Sequence, residues 1–176
     1  QRSQFFRSNL QGARYHTISL EKELQQVESY LSLEQARYPD RFNVSFDIDR
    51  TCYGALVPPF AIQILVENAI KHAFKNRKYN NEIIVKAQKA QTGLVISVSD
   101  NGHGIPYEKL DKIGKTSVHS ESGSGSALEN LNRRLDGLFG YEASLQIHSD
   151  HQGTPVSCTT PYHNKKKKKI ESNHCR

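Results

Sequence analysis

Leu65-Val66-Glu67-Asn68-Ala69-Ile70-Lys71-His72 and, about thirty residues later, Asp100-Asn101-Gly102-His103-Gly104-Ile105 decide the reading of this chain. The first stretch lies inside an apolar run from Phe60 to Phe74 with helical spacing, opened by Pro58-Pro59. On a helix, Glu67 and Lys71 are four apart, as are Asn68 and His72, so they form adjacent rows on one surface. Ile64, Leu65 and Ile70 are then left to face a sheet. The second stretch puts a carboxylate at the end of a predicted strand, directly before a glycine-rich turn.

Working outward, Phe42 to Ile48 alternates Phe42, Val44, Phe46 and Ile48 against polar residues, the period of a half-buried strand. Residues 82–89 (Ile83, Val85, Ala87) and 93–99 (Leu94, Ile96, Val98) read as two strands joined by a turn near Gln91-Gly93. A helix is expected from Ala127 to about Leu138, carrying Leu128, Leu131, Leu135 and Leu138, with Gly140 as its C-cap. Leu145–His148 and Pro155–Thr160 are the last two strands. Residues 106–126 are polar and rich in Gly, Ser and Lys, and loops of that length are usually functional or mobile.

Before Phe42 the chain reads as helical. Phe5, Phe6, Leu10 and Ala13 share a face. Ile18 breaks the pattern, and Ser19 is placed to cap a second helix over Leu20–Arg37. There Leu20, Leu24, Val27, Leu31 and Leu33 follow helical periods, and Glu21 and Glu23 favour the positive end of that helix. Pro39-Asp40 stops it. The architecture expected is α+β: a sandwich with a mixed, mostly antiparallel sheet and helices on one face, preceded by a helical piece. Three units follow: residues 1–37, 38–162 and a basic tail over 163–176.

The chain has 176 residues, begins at Gln1 and contains no Met, and it is read as part of a longer protein. Its net charge of +6 suggests nucleic acid at first sight. However, five of those charges form one run, Lys165–Lys169, and the remainder is close to neutral. The run is read as a solvated tail, and nucleic acid is not expected as a partner. Cys52, Cys158 and Cys175 show no CxxC spacing, which fits a reducing, intracellular setting. No apolar stretch approaches the ~20 residues of a membrane span.

The chemistry of the two motifs is that of a nucleotide site. Asn68 offers a neutral carbonyl oxygen, a hard ligand for Mg²⁺ that leaves room for phosphate and water. Lys71 and His72 can neutralise phosphate charge, and Glu67 can accept a proton. For this helix alone, a solvated polar face accounts for the pattern equally well. Asp100 adds an acceptor for the exocyclic amine of adenine, and Gly102 and Gly104 let backbone approach a base. An Asp-Asn-Gly turn is common by itself, but its spacing from the helix makes the pair specific. Gly123-Ser124-Gly125-Ser126-Ala127-Leu128 leads into a helix whose first N–H groups can bind phosphate. A Gly-Ser run alone is more often a linker. The P-loop pattern is absent.

These residues resemble the Bergerat-fold superfamily of histidine kinases, DNA gyrase, Hsp90 and MutL, whose fold is a two-layer α/β sandwich. Glu67–His72 is similar to its N box, Asp100–Ile105 to its G1 box and Gly123–Leu128 to its G2 box. Gly153-Thr154 resembles the Gly-Thr whose hydroxyl assists adenine binding. Phe5–Leu10, Ile18–Leu24, Tyr30–Arg37, Pro58-Pro59-Phe60 and Gly125–Leu135 look like sensor histidine kinases of the LytS/YesM type. The likeness covers residues 3–161. Ala127 stands where kinases often have a third glycine.

The resemblance implies a protein-histidine kinase with ATP and Mg²⁺ as cofactors. In it, Asn68 holds the metal and Glu67 is the general base. Lys71, His72 and the backbone from Gly123 to Leu128 contact the phosphates. Asp100, Gly102, Gly104, Ile105 and Thr154 form the adenine side, and residues 106–126 form a lid. The acceptor histidine would lie upstream of residue 1, in a homodimeric parent protein anchored in the bacterial membrane, with this part cytoplasmic and a response regulator as partner. His16 is then a surface residue, and the chain alone binds ATP without phosphorylating itself. The alternatives are an ATP-gated module of the gyrase or MutL kind, an anti-sigma serine kinase, and a basic interaction domain built on the lysine run.

Overall fold

The computed structural model describes residues 16–74, 79–91, 93–104, 124–149 and 153–162. Its elements in chain order are β1 (Ile18–Ser19), α1 (Leu20–Arg37), β2 (Asn43–Ile48), β3 (Leu56–Val57), α2 (Ala61–His72), β4 (Glu82–Ala90), β5 (Gly93–Asp100), α3 (Ser124–Phe139), β6 (Ser144–Ile147) and β7 (Val156–Thr160). The helix face expected over Phe5–Ala13, the part of the expected 106–126 lid up to residue 123, and the lysine run fall outside the described residues.

The main sheet has the order β2-β4-β5-β7-β6. Only β2 and β4 run parallel, with Val44 opposite Ile83 and Phe46 opposite Val85. The other pairs are antiparallel; short connections join β4 to β5 and β6 to β7, whereas β7 returns beside β5 after α3 and β6. The alternation read from sequence sets the inner face: Ile83, Val85 and Ala87 of β4, Leu94, Ile96 and Val98 of β5, and Val156 and Cys158 of β7 are all buried. The helices supply the other layer through Ile62, Leu65, Val66, Ala69 and Ile70 of α2 and Leu128, Leu131 and Leu135 of α3. A fully buried Leu or Ile contributes about 1.5–3 kcal/mol, so these stripes hold the layers together.

α1 is part of the same core. Leu20, Leu24, Val27 and Leu31 are buried in it, whereas Leu33 is 68% exposed. Leu33 lies two residues beyond Leu31, which turns it to the opposite side of a helix, so it does not share the apolar face. Ser19 caps α1 as expected, accepting from Lys22 N at 3.3 Å. The N–H groups of Leu20 and Glu21 go to the carbonyls of Ala55 and Tyr53. Ile18, which interrupted the helical pattern, pairs with Val57 in a small two-stranded sheet. Two residues are too few for a period, so that pairing left no trace in the sequence.

Glu23 lies in the first turn of α1 as expected, and its buried carboxylate in addition reaches the start of α2. α3 begins earlier than expected, at Ser124 rather than Ala127. The backbone of Gly125 and Ser126 is therefore helical rather than a preceding loop. A first helical turn makes no internal use of its N–H groups, so glycine and serine there cost little and keep those donors available.

Candidate functional site

β5 is the central strand, and its C-terminal residue Asp100 pairs with Ile83. The N-terminal end of β7 lies beside it, preceded by Gly153-Thr154. The Asp100 Oδ1 atom accepts from Gly102 N at 2.9 Å and from Thr154 N at 3.2 Å. One carboxylate oxygen thus fixes both the turn that follows β5 and the segment that enters β7. Gly153 is required here. At φ +144°, a Cβ on it would lie 1.8 Å from the Asp100 carbonyl oxygen.

The turn also docks on α2. A Cβ on Gly102 would lie 2.3 Å from the Ala73 carbonyl oxygen, and His103 N donates to that same oxygen at 3.2 Å. The turn therefore closes against the end of the helix that carries Glu67, Asn68, Lys71 and His72. Lys71 and His72 are exposed at that end, and Glu67 and Asn68 are half-buried further back. Gln63 Nε2 donates to Glu67 Oε1 at 3.1 Å, one helical turn away. The Glu67 charge also reaches Tyr30 of α1, whose hydroxyl is pushed up to about 12 by burial first and by Glu34 and Glu67 next.

Thr154 is 6% exposed, and its hydroxyl lies 3.2 Å from Ser149 Oγ. Gly104 follows the turn at φ +73°, a conformation natural to glycine. The structure thus brings together Asp100, Gly102, Gly104, Thr154 and the end of α2. α3 packs beside α2 and carries Ser124–Leu128 in its first turns. Ala127 is half-buried, and Leu128 is 2% exposed in the core, where it seats the helix. Ile105 and Gly123 lie outside the described residues. Among the described residues no group of three His, Cys, Asp or Glu side chains could hold a metal.

Residues 59–164 match the family described as histidine kinase-, DNA gyrase B- and HSP90-like ATPase. The chain belongs to that family. Residues 1–42 match a second family, histidine kinase. The sensor protein LytS of Staphylococcus saprophyticus is 94% identical over all 176 residues, which make up 30% of its length. The sensor histidine kinase/phosphatase LytS of Staphylococcus aureus (strain MRSA252) is 59% identical over 91% of this chain and 28% of its own. The chain thus spans under a third of the length of these curated relatives. Among solved structures, the catalytic domain of the histidine kinase ThkA in a nucleotide-free form aligns with a TM-score of 0.67 at 19% identity, covering 84% of this chain and 97% of that one. Full-length ShkA in complex with AMPPNP aligns at 0.65 and 16% identity, covering 85% of this chain and 31% of that one. These two show the fold, a mixed five-stranded sheet layered with helices, as expected.

Three residues around the ATPase-family site, Asn101, Ser149 and Arg134, were not singled out from sequence, and a fourth, Glu23, was read only for its place in the first turn of α1. Asn101 extends the sheet one residue past Asp100: its N–H donates to Glu82 O, its Oδ1 accepts from Glu82 N at 2.9 Å, and its Nδ2 donates to Asn80 O. Ser149 braces Thr154. Glu23 and Arg134 each bond to the backbone at the start of α2, and the guanidinium attracts the Glu23 charge. For Glu23 the signal was present: it shares the apolar face of Leu20, Leu24 and Val27, where an acid must find buried donors. For Arg134 and Ser149 no local pattern marks the contact.

Proposed function

We propose that this chain is the ATP-binding catalytic part of a sensor histidine kinase, acting on a histidine outside these residues. The observation that carries the reading is the Asp100 carboxylate, pinned through Gly102 N and Thr154 N where β5, β7 and the end of α2 converge. A carboxylate so fixed presents an acceptor of set direction to the amine of adenine. The match of residues 1–42 to the histidine kinase family favours a kinase over a gyrase-like ATPase.

ATP supplies the phosphoryl group, and Mg²⁺ neutralises charge on it. The donor set fits a magnesium ion that keeps water and phosphate ligands: Asn68 offers a neutral amide oxygen, and the described residues hold no metal-binding group of three His, Cys, Asp or Glu side chains. Asp100, with Thr154 behind it, orients the base. Lys71 and His72, exposed at the end of α2, are the cations this reading assigns to the phosphate charge. The first turn of α3 offers backbone N–H groups to the same anion. Glu67, one turn from Gln63, takes the proton of the acceptor imidazole. In the longer protein this reading implies a homodimer, an acceptor histidine upstream, a response-regulator aspartate as recipient and a membrane anchor elsewhere. Among the described residues no helix is long and apolar enough to cross a membrane.

Calorimetric titration with ATP, with and without Mg²⁺, tests the reading. The parent chain is expected to bind, and Asn68→Ala to bind ATP with an affinity that no longer responds to the metal. A folded parent chain with no affinity for ATP would refute it.

A further inference from the structure

One buried carboxylate joins α1 to the two helices of the candidate site. Glu23 is 1% exposed. Its Oε2 accepts from Phe60 N at 2.9 Å, and its Oε1 accepts from Ile62 N at 3.0 Å and Gln63 N at 3.3 Å. Those are the donors that the start of α2 leaves without helical partners, and no side chain of α2's own N-cap serves them. From the other side, Arg134 of α3 donates through Nη2 to the Pro59 carbonyl, and its guanidinium attracts the Glu23 charge. The corner between them is strained. Phe60 sits at φ +63°, a left-handed conformation that a bulky side chain rarely adopts, and its N–H is the one held by Glu23.

The corner is the root of α2, which carries Glu67, Asn68, Lys71 and His72, and Arg134 stands on the helix whose first turns carry Ser124–Leu128. Burial is the largest influence on both charges. It holds the Glu23 carboxyl above its ordinary range despite three N–H donors and Arg134, and it holds the Arg134 guanidinium below its own. A well-packed apolar pair could bind α1 to α2 without that cost. What the charged pair adds is direction: one anion and one cation fix a single arrangement of three helices.

We propose that Glu23 and Arg134 are positioning residues for the nucleotide. Through the Pro58–Phe60 corner they set α2 against α3 and tie that setting to α1. The proposal rests on the ATP-binding reading above. Neither residue acts on the nucleotide directly. Each works through the corner, so a shift of α1 reaches the Asn68 face and the first turn of α3 together.

The test is titration of the chain with Mg-ATP, for the parent, Glu23→Gln, Arg134→Met and the double variant, with thermal unfolding of each sample without nucleotide. Glu23→Gln keeps the shape but removes the charge and turns an amide donor toward a backbone N–H. Each single variant is expected to lose about tenfold in ATP affinity, within the usual range of coupling between sites. The double variant is expected to lose little more than the weaker single, because the two residues act as a unit. If Glu23→Gln fails to fold, Arg134→Met, at a half-buried position, carries the test. A purely structural role lowers the unfolding temperature and leaves the folded protein's affinity at the parent value, which would overturn the proposal while the ATP-binding reading stands. A parent chain that does not bind ATP removes that reading and this proposal with it.

Discussion

Asp100→Asn and Asp100→Ala separate two duties of one side chain. Oδ1 holds Gly102 N and Thr154 N, which keeps the G1 turn and the entry to β7 in place. The charge and the second oxygen are what the functional reading assigns to the adenine amine. In Asp100→Asn the amide oxygen can still accept from both backbone N–H groups, so the fold persists. An NH₂ group then faces a donor on the base, and a charge-assisted bond worth about 1.5–3 kcal/mol is lost. That is roughly ten- to a hundredfold in the dissociation constant for ATP. In Asp100→Ala both N–H groups lose their acceptor in a partly buried setting, at about 1–3 kcal/mol each, a large part of the roughly 5–15 kcal/mol that stabilises a domain. Calorimetric titration beside urea unfolding reads both effects. The expected pattern is a weakly binding, parent-stable Asn variant and an Ala variant that is also destabilised. An Asn variant that is folded and binds ATP like the parent would refute the assignment of adenine to Asp100.

Two further outcomes follow from the same geometry. Gly153→Ala drives a Cβ into the Asp100 carbonyl at a backbone angle alanine rarely adopts, and it should destabilise the chain by about 3 kcal/mol or more in denaturant unfolding. Burial, opposed by the N–H donors at the start of α2, keeps the Glu23 carboxyl raised, so the folded chain binds that proton more tightly than the unfolded one. Its contribution to stability is fully present below the ordinary glutamate range and is lost as pH rises through the raised value. Glu23→Gln should therefore flatten the pH dependence of the urea midpoint in that window, and an unchanged slope would count against the assignment.

How much of this was legible from the residues varies with the range of the interaction. The period-two runs of β4 and β5 and the helical stripe of Leu65 to Ile70 gave the right elements, because burial on one face imposes a period on neighbouring residues. Asp100, Gly102, Thr154 and the end of α2 were picked out separately, by motif, and the fold brings them together. What remained hidden joins residues far apart in the chain. Ile18 pairs with Val57, Glu23 reaches Phe60, and Arg134 reaches Pro59. Such contacts create no period of their own: the place of Glu23 on the apolar face of α1 signals a buried acid but not the partner it reaches.

The same contacts predict the fate of a chain shortened to residues 38–162, which the helix boundary at Arg37 invites. Removing α1 takes away Leu20, Leu24, Val27 and Leu31, all buried against the common core. At about 1.5–3 kcal/mol for each side chain, the loss is of the same order as the whole stability of a domain. It also strips Phe60, Ile62 and Gln63 of the carboxylate that accepts their N–H groups, and leaves Arg134 beside the corner without its counter-charge. Water can hydrate the exposed donors, so the apolar term decides the outcome. The shortened chain should express as aggregate or unfold below 37 °C, while a chain begun at Thr17, which retains β1, α1 and the Ser19 cap, should fold and unfold cooperatively. Cooperative unfolding of the 38–162 chain at the parent's temperature would show that α1 is a passive extension, and would undercut the account of Glu23 as well.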